Sequence, residues 1–473
     1  VLLPSYSQLS DLLMVTSRQI AAVLVLLFLA GLVHGQVPDG YSPDQSMPMD
    51  PATPEVLPME ERAEVINDWL DTRLDTVVAA AMRAEDVDLW IVSGREYNED
   101  PVLETMLPAT WQSARRRTIL VFHDRGPDEG IERLAVARYD VGDLFETAWE
   151  KEEQPDQWAR LAEIVSERDP ARIAVNRSGT FALADGMTDT EYDHLRDALP
   201  SRYVDRLVSG EGLAVRWLET RIEAERTVYP QVVRLARSII ATGLSEAVIQ
   251  PGITTTEDVR WWYRSRIRDL NLTAWFHPTV SVQRPGATTE GDFSSEAEGR
   301  VIQPGALLHV DLGITYLRLH TDTQQHAYVL RSGETAAPDG LQRGLRVANR
   351  LQDLLTDRFA PGRTGNEVLA STLDAAAAEG IDATIYSHPI GFHGHAAGPL
   401  IGLWDQQDGV PGRGDVPLRP NTAHSIELNA AVEVPEWDGQ EVLFRLEEDA
   451  LFTGETVRYL DGRQTEFYLI PRQ

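Results

Sequence analysis

Apolar positions along the chain recur with two alternating periods. From Glu60 to Arg83, Val65, Ile66, Trp69, Leu70, Leu74, Val77 and Val78 fall at helical spacing, which predicts a long amphipathic helix. Short apolar runs bounded by polar residues follow: DLWIVSG from Asp88, RTILVFHD from Arg117, RLAVARYD from Arg133 and ARIAVNRS from Ala171. The helix-like stretches WARLAEIVSERDP and GMTDTEYDHLRDAL flank the last of these runs. The alternation predicts an α/β domain over residues 59–212. A helical pattern from Ala214 to Ile249 then predicts one long helix that opens a second domain, residues 213–473. There, QPGITTTEDVRWWYRSRIRDL predicts a turn, a cap and a second helix, and TAWFHPTVSVQRPG predicts a strand. Two further helices are predicted over 339–358 and 364–380.

Some charged residues break these patterns. In LLHVDLGITYLRLHTDTQQHAYVL, Asp311 and Asp322 stand in a strand-like run, where an unpaired carboxylate is costly. Glu427 in SIELNAAVEV and Glu447 in VLFRLEEDALFT pose the same question. Between the pairs, YSHPIGFHGHAAGPLIGLWD sets His388, His393 and His395 among glycines that permit close approach to a ligand. Taken singly, an Asp is a turn or cap residue and a His a packed or solvated one. Shared metal ligation accounts for all of them at once. Two aspartates, one histidine and two glutamates make a carboxylate-rich set able to hold a pair of ions roughly 3.5 to 4 Å apart.

Composition narrows the chemistry. There are no cysteines, so disulfides, thiolate ligands and cysteine nucleophiles are excluded, and any metal is held by His, Asp and Glu. A net charge of −31 leaves no basic stripe for nucleic acid. Lys151 is the one lysine, an Arg-for-Lys bias that fits a high-salt habitat or a GC-rich genome. Neither a glycine-rich phosphate loop in the first domain nor a GxSxG serine elbow is present.

At the N-terminus, MVTSRQIAAVLVLLFLAGLVHGQ from Met14 has Arg18 ahead of an apolar run from Ile20 to Val33 and a small residue, Gly35, before Gln36. We read residues 1–35 as upstream residues and a secretory signal peptide at about 14–35, which predicts export to a periplasm or beyond; an uncleaved membrane anchor is the alternative. Residues 36–58, rich in Pro, Asp, Ser and Met without periodicity, predict a disordered tether.

Read in chain order, these motifs resemble the pita-bread metallopeptidases, in the branch of aminopeptidase P, prolidase and creatinase. HVDLG resembles that family's hydrophobic-Asp-x-Gly strand, with Asp322 at the usual interval; SIELN resembles TIEPG, and RLEEDALFT resembles RIEDTVLVT, which aligns Glu447 with the ligand. SHPIGFHGHA resembles SHxxGxxxHD, making His388 the ligand and His395 the supporting histidine; a second frame, GHAAG, makes His395 the ligand but explains fewer residues. The resemblance implies a creatinase-like N-terminal α/β domain ahead of an α+β pita-bread catalytic domain. It further implies a pair of divalent ions, Mn first and Co or Zn otherwise, on Asp311, Asp322, His388, Glu427 and Glu447. Glu427 would take a proton from water and His395 would support the tetrahedral intermediate. The implied activity is a dinuclear Xaa-Pro aminopeptidase or dipeptidase acting on peptides with proline second, as a homodimer.

The chain departs from this pattern in three places. GDFSSEAEG lacks the histidine the family carries ahead of the first Asp, leaving His277, His320 or His326 as replacements. The arginine often found after the second Asp is absent, and Ala396 follows His395 where an acid is usual. These departures motivate two alternatives: a catalytically impaired metal-binding homologue, or a creatinase-like hydrolase of a small amidino compound.

Overall fold

The computed structural model describes Met47 and residues 51–286 and 299–472, and these form one compact unit. The signal segment and most of the GDFSSEAEG loop fall outside the described residues. No described helix is long and apolar enough to cross a membrane.

After the helix Met59–Ala84 comes a six-stranded mixed sheet of β1 (Leu89–Arg95), β2 (Arg117–Asp124), β3 (Ile131–Ala137), β4 (Glu146–Thr147), β5 (Ile173–Val175) and β6 (Leu207–Ser209). Its order is β4-β3-β2-β1-β5-β6. The apolar runs of β1, β2 and β5 are buried on both faces because helices cover both sides of the sheet, as α/β layering requires.

The long helix expected from Ala214 to Ile249 is two helices, Glu211–Glu219 and Glu223–Gly243. A distant strand interrupts it: Arg221 N–H donates to the Asn421 carbonyl at 2.7 Å, and Thr220 makes a bridge with Thr422. Glu225 then caps the Ile222 amide at 3.0 Å and starts the second helix. The strand expected in TAWFHPTVSVQ is likewise split, into β7 (Thr273–Ala274) and β8 (Thr279–Gln283). Between them Pro278 has no N–H to give a ladder.

The remaining strands are β9 (Leu307–Leu312), β10 (Ile314–Tyr316), β11 (Leu319–His320), β12 (Thr323–Val329), β13 (Asp382–Ile385), β14 (His388–Ile390), β15 (Thr422–Val434), β16 (Gln440–Phe452), β17 (Val457–Tyr459) and β18 (Tyr468–Ile470). A large curved sheet runs β13-β15-β16-β12-β9-β8, with β14 on β15, β17 on β16 and β18 on β12; β11-β10-β7 form a small sheet of their own. The helices Asp339–Thr356 and Gly365–Ala378 pack on one side of the large sheet, Phe444 filling the space at Gly344.

Of the expected tether, the described residues have neither helix nor strand. They are nevertheless laid on the body. Met47 is 3% exposed, its N–H donates to the Arg463 carbonyl at 3.2 Å, and Leu57 N–H donates to Tyr316 Oη at 3.0 Å.

Candidate metal centre

The large sheet sets the site by register. Asp311 on β9 is opposite Gln324 on β12, Gln324 is opposite Glu447 on β16, and Glu447 is opposite Glu427 on β15. These four side chains form one row across four strands. Side chains two apart share a face, so Asp322 adjoins Gln324 and Ser425 adjoins Glu427. His388 on β14 is opposite Ser425 and enters from the sheet's margin.

The groups converge. Asp311, Asp322 and Glu447 each offer a ligand atom within 4.8 Å of the others; so do His388, Glu427 and Glu447, and Asp322, His388 and His395. His388 Nε2 lies 3.6 Å from Asp322 Oδ2, 3.8 Å from Glu427 Oε2 and 3.6 Å from Glu447 Oε1. His388 is buried and occurs in two of the three groups, whereas His395 is exposed and stands at their edge. Its ring is 4.7 Å from that of His388. His393 lies outside all three groups, stacked on His320 at 6.3 Å.

Electrostatics mark the cluster as short of positive charge. Burial, and then the Glu447 carboxylate, push Asp311, Asp322 and Glu427 well above the usual carboxylate range. Asp449, which accepts the Asp322 N–H at 3.2 Å, is raised by burial too. Arg445 is a cation acting on this group, pulling Asp311 slightly down. Asp311 Oδ1, Asp322 Oδ1 and His388 Nε2 are buried without a hydrogen-bond partner among the described residues. Orphaned donor atoms of hard and borderline ligands, set within overlapping groups of this kind, fit divalent cations.

The residues that sequence reading passed over are mostly neutral. Gln324, fully buried, donates from Nε2 to Glu427 and, at 2.9 Å, to Glu447 Oε2. Its Oε1 meets His309 Nε2 at 2.8 Å. An amide oxygen only accepts, so His309 holds its proton on Nε2 and turns Nδ1 to the Ser281 hydroxyl, 3.4 Å away. Ser425 Oγ donates to Glu447 Oε1 at 2.5 Å. The signal that finds Gln324, Ser425 and Asp449 is their two-residue spacing from Asp322, Glu427 and Glu447.

The three replacement histidines go to different places. His277 is exposed against Trp261. His326 is spent on structure, its Nδ1 against the Leu308 carbonyl and its Nε2 accepting the Arg445 N–H. His320 lies beside the histidine segment: its N–H donates to the Gly391 carbonyl at 2.8 Å, and Trp275 stands between its ring, at 6.2 Å, and that of His395, at 5.2 Å. A Cβ on Gly313 or Gly394 would overlap the Trp275 ring, so these glycines make room for it. Burial lowers His320 to about 4, and the desolvated part of the His395 ring together with His388 beside it lowers His395 to about 4 although that residue reaches solvent, so both rings are neutral at pH 7.

Residues 231–454 match the model of metallopeptidase family M24. The chain carries an M24 metallopeptidase domain. No curated protein matches the chain. Among solved structures, the X-Pro aminopeptidase from Thermotoga maritima is 16% identical, with a TM-score of 0.59 over 82% of this chain and 99% of that one. The Xaa-Pro dipeptidase from Bacillus anthracis is 16% identical, with a TM-score of 0.56 over 87% and 100%. Dipeptidase PepE from Mycobacterium ulcerans is 19% identical, with a TM-score of 0.55 over 86% and 99%. These likenesses give the fold of the chain: an N-terminal α/β domain followed by a pita-bread domain that holds the carboxylate row.

Proposed function

We propose that this M24 chain hydrolyses the bond before a proline at the second position of a peptide, as an aminopeptidase or dipeptidase using two divalent ions. The observation that carries the reading is the clustering of Asp311, Asp322, His388, Glu427 and Glu447 in two overlapping groups that share Glu447, with three orphaned buried ligand atoms among them. The structural neighbours named for X-Pro aminopeptidase and Xaa-Pro dipeptidase supply the substrate class. In this reading Asp311, Asp322, His388, Glu427 and Glu447 would hold the ions. A set with four carboxylates and one imidazole favours manganese.

Ions held there would supply Lewis-acid polarisation of the scissile carbonyl and of water. The protein's own part is proton handling and positioning. Glu427 accepts the proton of the attacking water at a carboxylate oxygen; the β15–β16 ladder keeps that carboxylate turned to the site. His395, neutral and exposed at the edge of the cluster, donates an N–H to the oxyanion of the tetrahedral intermediate. Trp275, wedged against Gly313 and Gly394, walls that side.

Purified protein supplied with Mn²⁺, Co²⁺ or Zn²⁺ should cleave Xaa-Pro dipeptides or longer Xaa-Pro peptides. Turnover of none of them, with metal retained, would sink the peptidase and leave an impaired metal-binding homologue. We further propose export, supported by the apolar run from Ile20 to Val33; mass spectrometry of the native protein should find nothing before about Gln36, and an intact 14–35 segment overturns cleavage. A homodimer is the proposed assembly, and a monomer mass in sedimentation would refute it.

A further inference from the structure

The segment that carries His393 and His395 has no helix or strand from Gly391 to Leu400, so something other than secondary structure must fix its shape. One fixed point is Phe392. The guanidinium carbons of Arg73 and Arg221 each lie 4.5 Å from the centroid of its ring, and the Trp217 ring is 6.4 Å away. Arg73 comes from the N-terminal helix Met59–Ala84, more than three hundred positions earlier in the chain.

Both arginines are tied down. Arg73 Nη1 donates to Glu225 at 3.0 and 3.1 Å and to the Thr220 carbonyl at 2.7 Å, and Nη2 donates to the Trp217 carbonyl. Arg221 Nη1 is 3.4 Å from Glu225 Oε2, and its Nη2 donates to the Leu218 carbonyl at 2.5 Å. Arg73, Arg221 and Glu225 are all at most 1% exposed.

Two guanidinium groups share the Glu225 carboxylate in a dry place, with the buried Glu219 carboxylate also acting on Arg221, an arrangement that costs stability unless their remaining surfaces are faced by other groups. Arg73 Nε and Arg221 Nε have no hydrogen-bond partner among the described residues. The Phe392 ring supplies the missing interaction through its negative π face. The seat also constrains the backbone, since a Cβ on Gly391 would come within 3.1 Å of the Arg221 guanidinium carbon. Only two residues separate Phe392 from His395, which rests on Trp275 at the far side.

We propose that Phe392, seated on Arg73 and Arg221, is a positioning residue that sets His395 beside His388, and that the N-terminal helix thereby completes the site of the M24 domain. The inference rests on the role given above to His395. The seat itself can be tested without any substrate. The amides of Gly391 and Ala396 are bonded within the segment, to the carbonyls of His393 and of Pro389 and Gly394, so their hydrogen exchange reports the segment's shape.

The experiment compares the full, Mn²⁺-loaded chain with F392L, F392Y and R73M by hydrogen exchange, metal content, thermal melting and Xaa-Pro turnover. F392L is expected to keep its metal and melt cooperatively while exchange in 391–397 quickens at least tenfold. Turnover should fall on the order of 10²-fold in kcat with KM within about threefold, as for a misplaced catalytic group. F392Y should restore both readouts, and R73M should move them in the direction of F392L. Unchanged exchange and kcat in F392L, or a kcat lost only in proportion to lost metal, would overturn the proposal. If the wild-type chain cleaves no Xaa-Pro peptide, the functional reading fails while the exchange measurement still decides the seat.

Discussion

Replacing Gln324 by Leu keeps the side chain's volume and deletes both halves of its amide. In the structure that amide donates to Glu427 and Glu447 and accepts from His309, with no water access. Each bond to a charged acceptor contributes about 1.5–3 kcal/mol, and an orphaned buried N–H such as that of His309 costs about 1–3 kcal/mol. Against this, a buried Leu recovers up to about 2 kcal/mol of apolar transfer. With chelator present the net loss should be about 2–7 kcal/mol. With Mn²⁺ present the ions are expected to replace the amide as the partner of both glutamates, and the loss should shrink to about 1 kcal/mol or less, what remains of it at His309. Urea unfolding of wild type and Q324L, each with EDTA and with Mn²⁺, measures the four values. Equal losses in the two conditions, or a loss below about 1 kcal/mol in EDTA, would refute the view that the amide stands in for cations between these carboxylates.

Three further outcomes follow from the same geometry. D322A and E447A should each lower metal content, because each removes a carboxylate shared by two ligand groups; unchanged stoichiometry in both would refute the ligand assignment. H388A should lose metal, whereas H395A should keep metal and lose rate, read by metal analysis beside kcat; the opposite pattern would make His395 the ligand. Away from the site, burial lifts Asp100 to about 6 against its hydrogen bonds from Asn176, Leu103 and Val102. Its folded pKa exceeds the unfolded value of 3.8, so its contribution is fully present below about pH 4 and is lost as pH rises through about 6, amounting to about 3 kcal/mol. Denaturation of wild type and D100N at pH 4.5 and 7 should show a smaller fall across this window in D100N, and parallel falls would refute the assignment.

What could be read from sequence divides by whether a residue advertises its environment. Asp311, Asp322, Glu427 and Glu447 were legible because each carries charge in a run of apolar residues, and His388 and His395 because glycines surround them. The strands of the first sheet were legible from their unbroken apolar runs. Gln324 was legible only once Asp322 was placed, since two-residue spacing puts it, and not Gln325, on the face of that carboxylate. The break at Thr220–Ile222 was not legible either, because its cause lies two hundred positions away at Asn421 and Thr422. Phe392 looks like any core aromatic until the two arginines beneath it are known. The loop 291–298, where the missing histidine was sought, falls outside the described residues.

The deciding information was therefore register, and register is set at a turn remote from the chemistry. The β15–β16 hairpin closes through Pro435–Trp437, with Asp438 and Gly439 at φ of 55° and 77°. From there an uninterrupted ladder brings Glu427 opposite Glu447. A slip of one residue would turn every side chain of the moved strand to the other face. It would exchange Glu447 for Glu448, whose carboxylate is already bonded on the helix side by Gln352 and the Gln464 N–H. The adjacent glutamates in RLEEDALFT thus do separate jobs, one toward the candidate ions and one holding the sheet to its helix. The turn at Asp438–Gly439 keeps those jobs from being interchanged.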